Sequence, residues 1–383
     1  MKVGIIGVGF SEMKSYEPSK APAFQELPFI AVKRALQNAG VERGEVDFFV
    51  ESSYDFLDGR MISNMYTCTN VGAFLRSESR VADDSLLGVA YAAAKIKSGD
   101  AEIAVVESHG IREVDHNAIS HIIFDPFVYR NIGMSYLTSL ALVSKAYIDR
   151  YRVDEEDAVA IVSKNRRAGY FNPNAHLREP INDEEVRRSP YVVYPLRQSM
   201  LAPPTSGSVA LVLANEYMAT RLVDQPVWIE SISWCTDSYY LGGKPLHTII
   251  PLQVAAKKAY TEAGITNPAK QIGLFEVCDV TPYHELMAYE ALGLAQEGKG
   301  CNYAREGVTD PREGSIPVNV SGGSLSTDPY PASSLFKLVE AYLQMRGEAV
   351  GRQIKGVERA LVHGFSYIGG ASAQTHVVLI AGV

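Results

Sequence analysis

The chain has 383 residues, 46% of them hydrophobic and 21% charged, with 36 basic against 44 acidic side chains and a net charge of −8. That length at a globular composition accommodates two sizeable cores or one composite core, and it excludes disordered and collagen-like chains. The acidic balance argues against a dedicated nucleic-acid binder, and no apolar run approaches the ~18 residues of a membrane span.

Met1 leads straight into the apolar residues 3–8 with no basic n-region, so no signal peptide is predicted and the expected location is cytoplasmic. Residues 31–40 (Ala-Val-Lys-Arg-Ala-Leu-Gln-Asn-Ala-Gly) predict an amphipathic helix ended by glycine, and a strand over 46–51 closes on Glu51. Ser85 opens a predicted helix through residue 96 that stops at Gly99, and a buried strand follows over 103–106. Segment 112–205 predicts helices at about 134–151 and 154–168, the second begun by Asp154 or Asp157, and then a stretch over 171–204 rich in proline, asparagine and arginine. Residues 255–264 (Ala-Ala-Lys-Lys-Ala-Tyr-Thr-Glu-Ala-Gly) repeat the first helix at five of ten positions, and a strand over 272–276 again ends in glutamate, Glu276. A helix from Ser334 to Met345 and a strand over 359–362 complete the second series.

The matched order predicts an internal duplication, with halves at 1–225 and 226–383 packed together and each sheet covered by helices. Segment 112–205 has no counterpart in the second half, so it is expected to cover or grip a ligand at the mouth of the core. Cys68, Cys235, Cys278 and Cys301 form no CxxC pair, which predicts reduced thiols and no zinc ribbon within the chain. His109, His116, His121, His176, His247, His284 and His376 show no metal-ligand spacing, and no metal is predicted.

Several segments resemble the thiolase superfamily, in its sterol-carrier-protein and archaeal types. Asn165-Arg166-Arg167, Phe171-Asn172-Pro173-Asn174-Ala175, Ser189-Pro190 and Tyr194-Pro195-Leu196-Arg197 resemble its loop region. Ala202-Pro203-Pro204-Thr205-Ser206-Gly207-Ser208 stands where the family usually has Pro-x-x-Asp-Gly-Ala. Glu276-Val277-Cys278-Asp279 with Glu285-Leu286 and Tyr289-Glu290-Ala291-Leu292-Gly293 resembles its His-Asp-Ala-Phe block. Asn319-Val320-Ser321-Gly322-Gly323 with Asp328-Pro329-Tyr330-Pro331 resembles its Gly-Gly…Gly-His-Pro block. The resemblance covers essentially the whole chain. It implies a five-layered αβαβα thiolase fold, built from two duplicated βαβαβ-type halves with an inserted loop region. It also implies a homodimer, coenzyme A thioesters as substrates, and no covalently bound cofactor.

The departures fall at the chemistry. Thiolases use a cysteine thiolate at a helix N-terminus, where the helix dipole lowers the thiol pKa. The matching segment here, residues 80–88, contains no cysteine, and the family spacing lands on Ala82 beside Asp83 and Asp84. These aspartates have two readings: acidic helix starts worth about 0.3–1 kcal/mol each, or catalytic carboxylates acting as acid or base. The histidine expected before Asp279 is Cys278, either an inert buried thiol or a nucleophile. The histidine of the Gly-His-Pro block is Asp328, and an ionised carboxylate cannot donate to an oxyanion. Either Asp328 is protonated, or Asn319, Tyr330 or backbone amides rebuild the oxyanion hole.

Ala360-Leu361-Val362-His363-Gly364 resembles an archaeal-type Ala-His-Gly segment, whose histidine implies a base, and three extra residues before Gly369 leave His363, Ser366 or Tyr367 facing the site. Tyr283, Tyr330 and Tyr367 fall near three active-site blocks, and cysteine-free relatives that act as retro-aldolases use tyrosines as proton shuttles. Ser206, Gly207, Gly322 and Gly323 are expected along the thioester. Two functions follow. One is retro-aldol cleavage of a β-hydroxyacyl-CoA without an acyl-cysteine. The other is a catalytically degenerate, acetyl-CoA acetyltransferase-like subunit that binds acyl-CoA or scaffolds a multi-subunit acyltransferase complex. Either implies a small zinc-ribbon/OB-fold partner or an active thiolase-type subunit, with no nucleic acid and no membrane span.

Overall fold

The first strand, β1 (Val3–Phe10), shows how close the layers lie. A Cβ on Gly7 would sit 2.6 Å from the Ala39 side chain, and one on Gly9 would sit 2.3 Å from the Ala31 carbonyl. Glycine there lets helix α1 (Glu26–Ala39) lie directly on the strand, and Gly40, at φ +66°, ends that helix. The chain is seen in a computed structural model that describes residues 1–17, 20–111, 115–371 and 374–383.

The first half continues through β2 (Phe48–Ser52), β3 (Ser77–Val81), α2 (Ser85–Lys97) and β4 (Ile103–Gly110). The inserted region follows; its first residues, 112–114, lie outside the described residues. It holds α3 (Tyr136–Tyr151) and α4 (Glu155–Phe171), and β5 (Gly207–Asn215) then returns to the sheet. Ser135 and Asp154 cap the two inserted helices, each in a capping box, the second completed by Asp157. The second half contains β6 (Val227–Thr236), α5 (Ile250–Glu262), β7 (Leu274–Glu276), α6 (Pro282–Ala291), α7 (Ser333–Met345), β8 (Arg359–Phe365) and β9 (Thr375–Gly382).

The nine strands form one sheet in the order β3-β2-β4-β5-β1-β6-β9-β8-β7. Two antiparallel register pairs, Gly4 with Trp228 and Ile5 with Val227, join β1 to β6 at its centre. Outward from that seam the halves repeat each other. β1, β5, β4 and β2 on one side answer β6, β9, β8 and β7 on the other, with the same antiparallel and parallel senses. A parallel bridge from Phe275 to Val318 stands where β3 would fall in the second half.

Alternation along the strands sends side chains to three layers of helices. Ile6, Phe49, Val105 and Val212 face α1. Ile5, Val50, Val106 and Leu211 from the first half meet Leu274, Val362 and Leu379 from the second around α2 and α7. Phe275, Leu361, Val378 and Ile380 face the layer that contains α5. The sequence αβαβα is therefore present, and its middle layer, α2 with α7, brings the N-termini of both halves' equivalent helices together. Among the described residues no helix is long and apolar enough to cross a membrane.

Candidate active site

The site grows from the start of α2. Asp84 is its N-cap, and its carboxylate accepts from Leu86 N at 3.0 Å and from Ser334 Oγ, on α7, at 2.5 Å. A Cβ on Gly364 would lie 2.2 Å from Asp84 Oδ1, so β8 supplies a glycine where the cap needs room. Burial pushes the Asp84 carboxyl up to about 7. Asp83, one residue earlier and partly exposed, accepts from Asp84 N at 2.7 Å and from the Ser366 hydroxyl. The Tyr54 hydroxyl donates to it as well, and burial holds the Asp83 carboxyl at about 6.

Three tyrosines wall the aspartates. Tyr54 follows β2, and its hydroxyl lies 3.3 Å from that of Tyr330, with the two rings stacked at 5.9 Å. The Tyr330 ring is 4.0 Å from that of Tyr367. Tyr367 donates its hydroxyl to both oxygens of Asp328, at 2.7 and 2.6 Å, and Ser333 Oγ donates to the same carboxylate at 2.7 Å. Burial raises the phenols of Tyr54 and Tyr330 above their ordinary range, which keeps both as proton donors. Asp83, Asp84, Asp328, Tyr330 and Tyr367 are thus brought together, from segments some 250 residues apart.

Other predicted residues are placed elsewhere or are already engaged. His363 Nδ1 accepts from Cys278 N at 3.3 Å, and its Nε2 lies 2.9 Å from His376 Nδ1. The backbone donor fixes the tautomer: Nε2 carries the proton and gives it to His376. Burial lowers the His363 pKa to about 3, so the ring is neutral and both nitrogens are committed inside the core. Asn319 is equally committed, with Oδ1 accepting from Val277 N and Nδ2 donating to Glu285, each at 2.8 Å. Gly322 and Gly323 close on protein: added Cβ atoms would lie 2.6 Å from Gly169 Cα and 2.1 Å from Asp279 Oδ2. Ser206 exchanges two backbone hydrogen bonds with Lys14, and Gly207 packs on Met13. Tyr283 lines a separate groove of about 490 Å³ with Arg152, Glu155, Tyr191 and Tyr194.

Cys278 is buried, and burial lifts its thiol to about 12, so it is protonated at neutral pH. Iodoacetamide on the native protein should label the part-exposed Cys68 and Cys235 and spare the buried Cys278 and Cys301, read by peptide mass mapping. Labelling of Cys278 at a rate matching loss of activity would revive covalent catalysis.

Beneath the site a buried polar lattice anchors the 319–328 loop. Asp279 accepts from Ser324 N at 2.5 Å, Leu325 N at 3.2 Å and Asn165 Nδ2 at 2.7 Å, and it pairs with Lys337 Nζ at 3.2 Å. Gly323, at φ +63° against this carboxylate, tolerates no side chain. Gly323→Ala should destabilise the fold by about 2 kcal/mol or more, visible as a lower denaturation midpoint.

Tyr54, Ser333, Ser334 and Lys337 are the participants that sequence reading missed. The one available signal for Tyr54 was its position just after a buried strand that ends in Glu51 and Ser52.

Comparison with known proteins agrees with this architecture. The model of the thiolase C-terminal domain-like family matches residues 236–382. An acetyl-CoA acetyltransferase of Methanothermobacter thermautotrophicus is 29% identical over 63% of this chain and 63% of its own. These matches support a thiolase-superfamily reading of the chain. Its match to that acetyltransferase spans less than two thirds of the relative's length. The benzoylsuccinyl-CoA thiolase subunit BbsB of Thauera aromatica, 25% identical, aligns over 94% of both chains. Among solved structures, an Ltp2-ChsH2(DUF35) aldolase superposes with a TM-score of 0.85 at 22% identity, covering 100% of this chain and 98% of the other. That likeness is one of fold.

Proposed function

We propose that this thiolase-superfamily protein cleaves the Cα–Cβ bond of a β-hydroxyacyl-CoA by retro-aldol chemistry, without an acyl-cysteine. The observation that carries the reading is the cysteine-free start of α2, where Asp83 is hydrogen-bonded to Tyr54 and Tyr54 to Tyr330. Asp83, ionised above about pH 6, takes the β-hydroxyl proton of the substrate, directly or through Tyr54. As the hydroxyl carbon becomes a carbonyl, the Cα–Cβ bond breaks and its electron pair passes into the thioester as an enolate. Once Asp83 has taken that proton, the Ser366 hydroxyl that it held is free to donate to the developing charge. Tyr330 then protonates Cα, and the proton on Asp83 returns through Tyr54 to Tyr330. The products are a shortened acyl-CoA and an aldehyde or ketone, with atoms and charge in balance. Asp328 holds Tyr367, whose ring backs Tyr330, so it is a positioning residue.

The full-length likeness to an Ltp2-ChsH2(DUF35) aldolase supports this reading. The alignment with BbsB, a thiolase subunit, favours a second one, in which the chain binds acyl-CoA and organises an active partner. Both readings call for a partner, either a small zinc-ribbon/OB-fold protein or a thiolase-type subunit, and for a second copy of the chain. Incubating the protein, alone and co-purified with its partner, with a panel of β-hydroxyacyl-CoAs separates them. Carbonyl product trapped as a hydrazone, matched by new acyl-CoA, is the expected result. Absence of both in every preparation overturns the lyase reading and leaves the binding subunit.

A further inference from the structure

A second cluster of titratable side chains lies outside this site, at the C-terminal ends of β2 and β4. Glu51 and Glu107 are direct register partners in that parallel pair, so both leave the same face of the sheet, and His109 leaves it two residues further on. Glu51 and His109 are 0% exposed, and Glu107 and Asp58 1%. One ligand atom each from Glu51, Glu107 and His109 lie within 4.8 Å of one another. His109 Nδ1 is 3.1 Å from both Glu107 oxygens, and its other nitrogen, Nε2, is 3.5 Å from Asp58 Oδ1. Ser208 Oγ donates to Glu107 Oε1 at 2.6 Å, and the Thr67 hydroxyl donates to Glu51 Oε2.

Those contacts leave Glu51 Oε1, on one of the three clustered side chains, fully buried with no hydrogen-bond partner. Native interiors rarely leave even one such atom unmatched, and one on a carboxylate clustered with a second carboxylate and an imidazole marks a place for a ligand. Glutamates placed directly opposite on neighbouring strands repel each other unless something positive lies between them. The 3.1 Å between imidazole nitrogen and carboxylate oxygen is also the separation that two ligands of one tetrahedral ion adopt.

We propose that Glu51, Glu107 and His109 bind one divalent first-row transition cation of the zinc or manganese type, with Asp58 orienting the imidazole through Nε2. A carboxylate on the far nitrogen of a metal-bound histidine is the usual second support of such sites. One imidazole among carboxylates suits zinc or manganese better than calcium, which takes six to eight oxygens. The ion is structural. It ties β2 to β4, and Ser52, beside Glu51, donates its hydroxyl to the Asp83 carbonyl at 3.0 Å. Sequence spacing gave no hint of it because the ligands come from two strands that meet only in the folded sheet.

The test uses the full chain with any purification tag removed, stripped with chelator, equilibrated separately with Zn²⁺ and Mn²⁺, desalted and measured by elemental analysis. Wild type should retain about one equivalent of one of the two ions, and its melting temperature should rise with that ion over chelator. His109→Gln and Glu107→Gln should lose both effects, with circular dichroism checking that they fold. Co²⁺ gives a second readout, since visible d–d absorption should appear in wild type and vanish in His109→Gln. A wild type that retains neither ion and melts identically in metal and chelator overturns the proposal, whatever the variants do. Equal retention by wild type and both variants overturns it too, by placing the ion elsewhere.

Discussion

Asp83→Asn should lower kcat/KM for β-hydroxyacyl-CoA cleavage by about 10²–10⁴-fold, the usual contribution of a positioned acid–base group. The fold should survive, because Asp83 is partly exposed and its partners, Ser366 and Asp84 N, are reached equally well by an amide oxygen. The wild-type pH profile carries the same signature. Burial raises the Asp83 carboxyl to about 6, and the base must be ionised, so kcat/KM should fall as pH drops through about 6 and level off above it. In Asp83→Asn that acid limb should be missing. A variant with wild-type kcat/KM would remove Asp83 from the mechanism. A variant with lost activity but an unchanged acid limb would assign the limb to Asp84, whose carboxyl stands at about 7.

Lys337→Met should be the most destabilising single change in the chain's polar interior, costing about 3–5 kcal/mol in a denaturant titration. The lysine is 1% exposed and its partner Asp279 0%, and methionine keeps the stem while removing the charge. Asp279 would remain buried with three neutral donors, Asn165, Ser324 N and Leu325 N, and no cation beside it. A loss below about 1 kcal/mol would mean that those neutral donors satisfy the carboxylate by themselves. Because Lys337 also holds the Asp84 carboxyl down, the same variant should push Asp84 further towards its neutral form.

Local chemistry made much of the fold legible. Glycines 40 and 264 stop equivalent helices, and Asp84 and Asp154 cap others where acidic residues precede apolar runs. The strand read over 103–106 runs on to Gly110, because its last turns of sequence, Glu107, Ser108 and His109, are polar yet fully buried. Apolar periodicity stops where a buried polar cluster begins. In the candidate site, Asp83, Asp84, Asp328, Tyr330 and Tyr367 lie together, whereas His363 turns away from them. Strand alternation is the reason. On β8, Gly364 faces Asp84, and Ser366 just beyond the strand faces Asp83, while His363 and Phe365 point the other way, into a stack with His376. A one-residue difference in a strand exchanges the site face for the core face. Tyr54 could not be found from motif spacing, since its place beside Asp83 depends on two loops meeting above parallel strands.

The two register pairs that join β1 to β6 have a bearing on how this protein can fail. Asp83, Asp84, Ser85 and Tyr54 come from one half, and Ser366, Ser334, Leu335 and Tyr330 come from the other. Every hydrogen bond between those sets therefore spans the divide. Each half could keep its own sheet intact and still contain no site at all. In the proposed mechanism the reacting groups double as rivets between the two halves, so damage to the seam should silence chemistry before it unfolds either half.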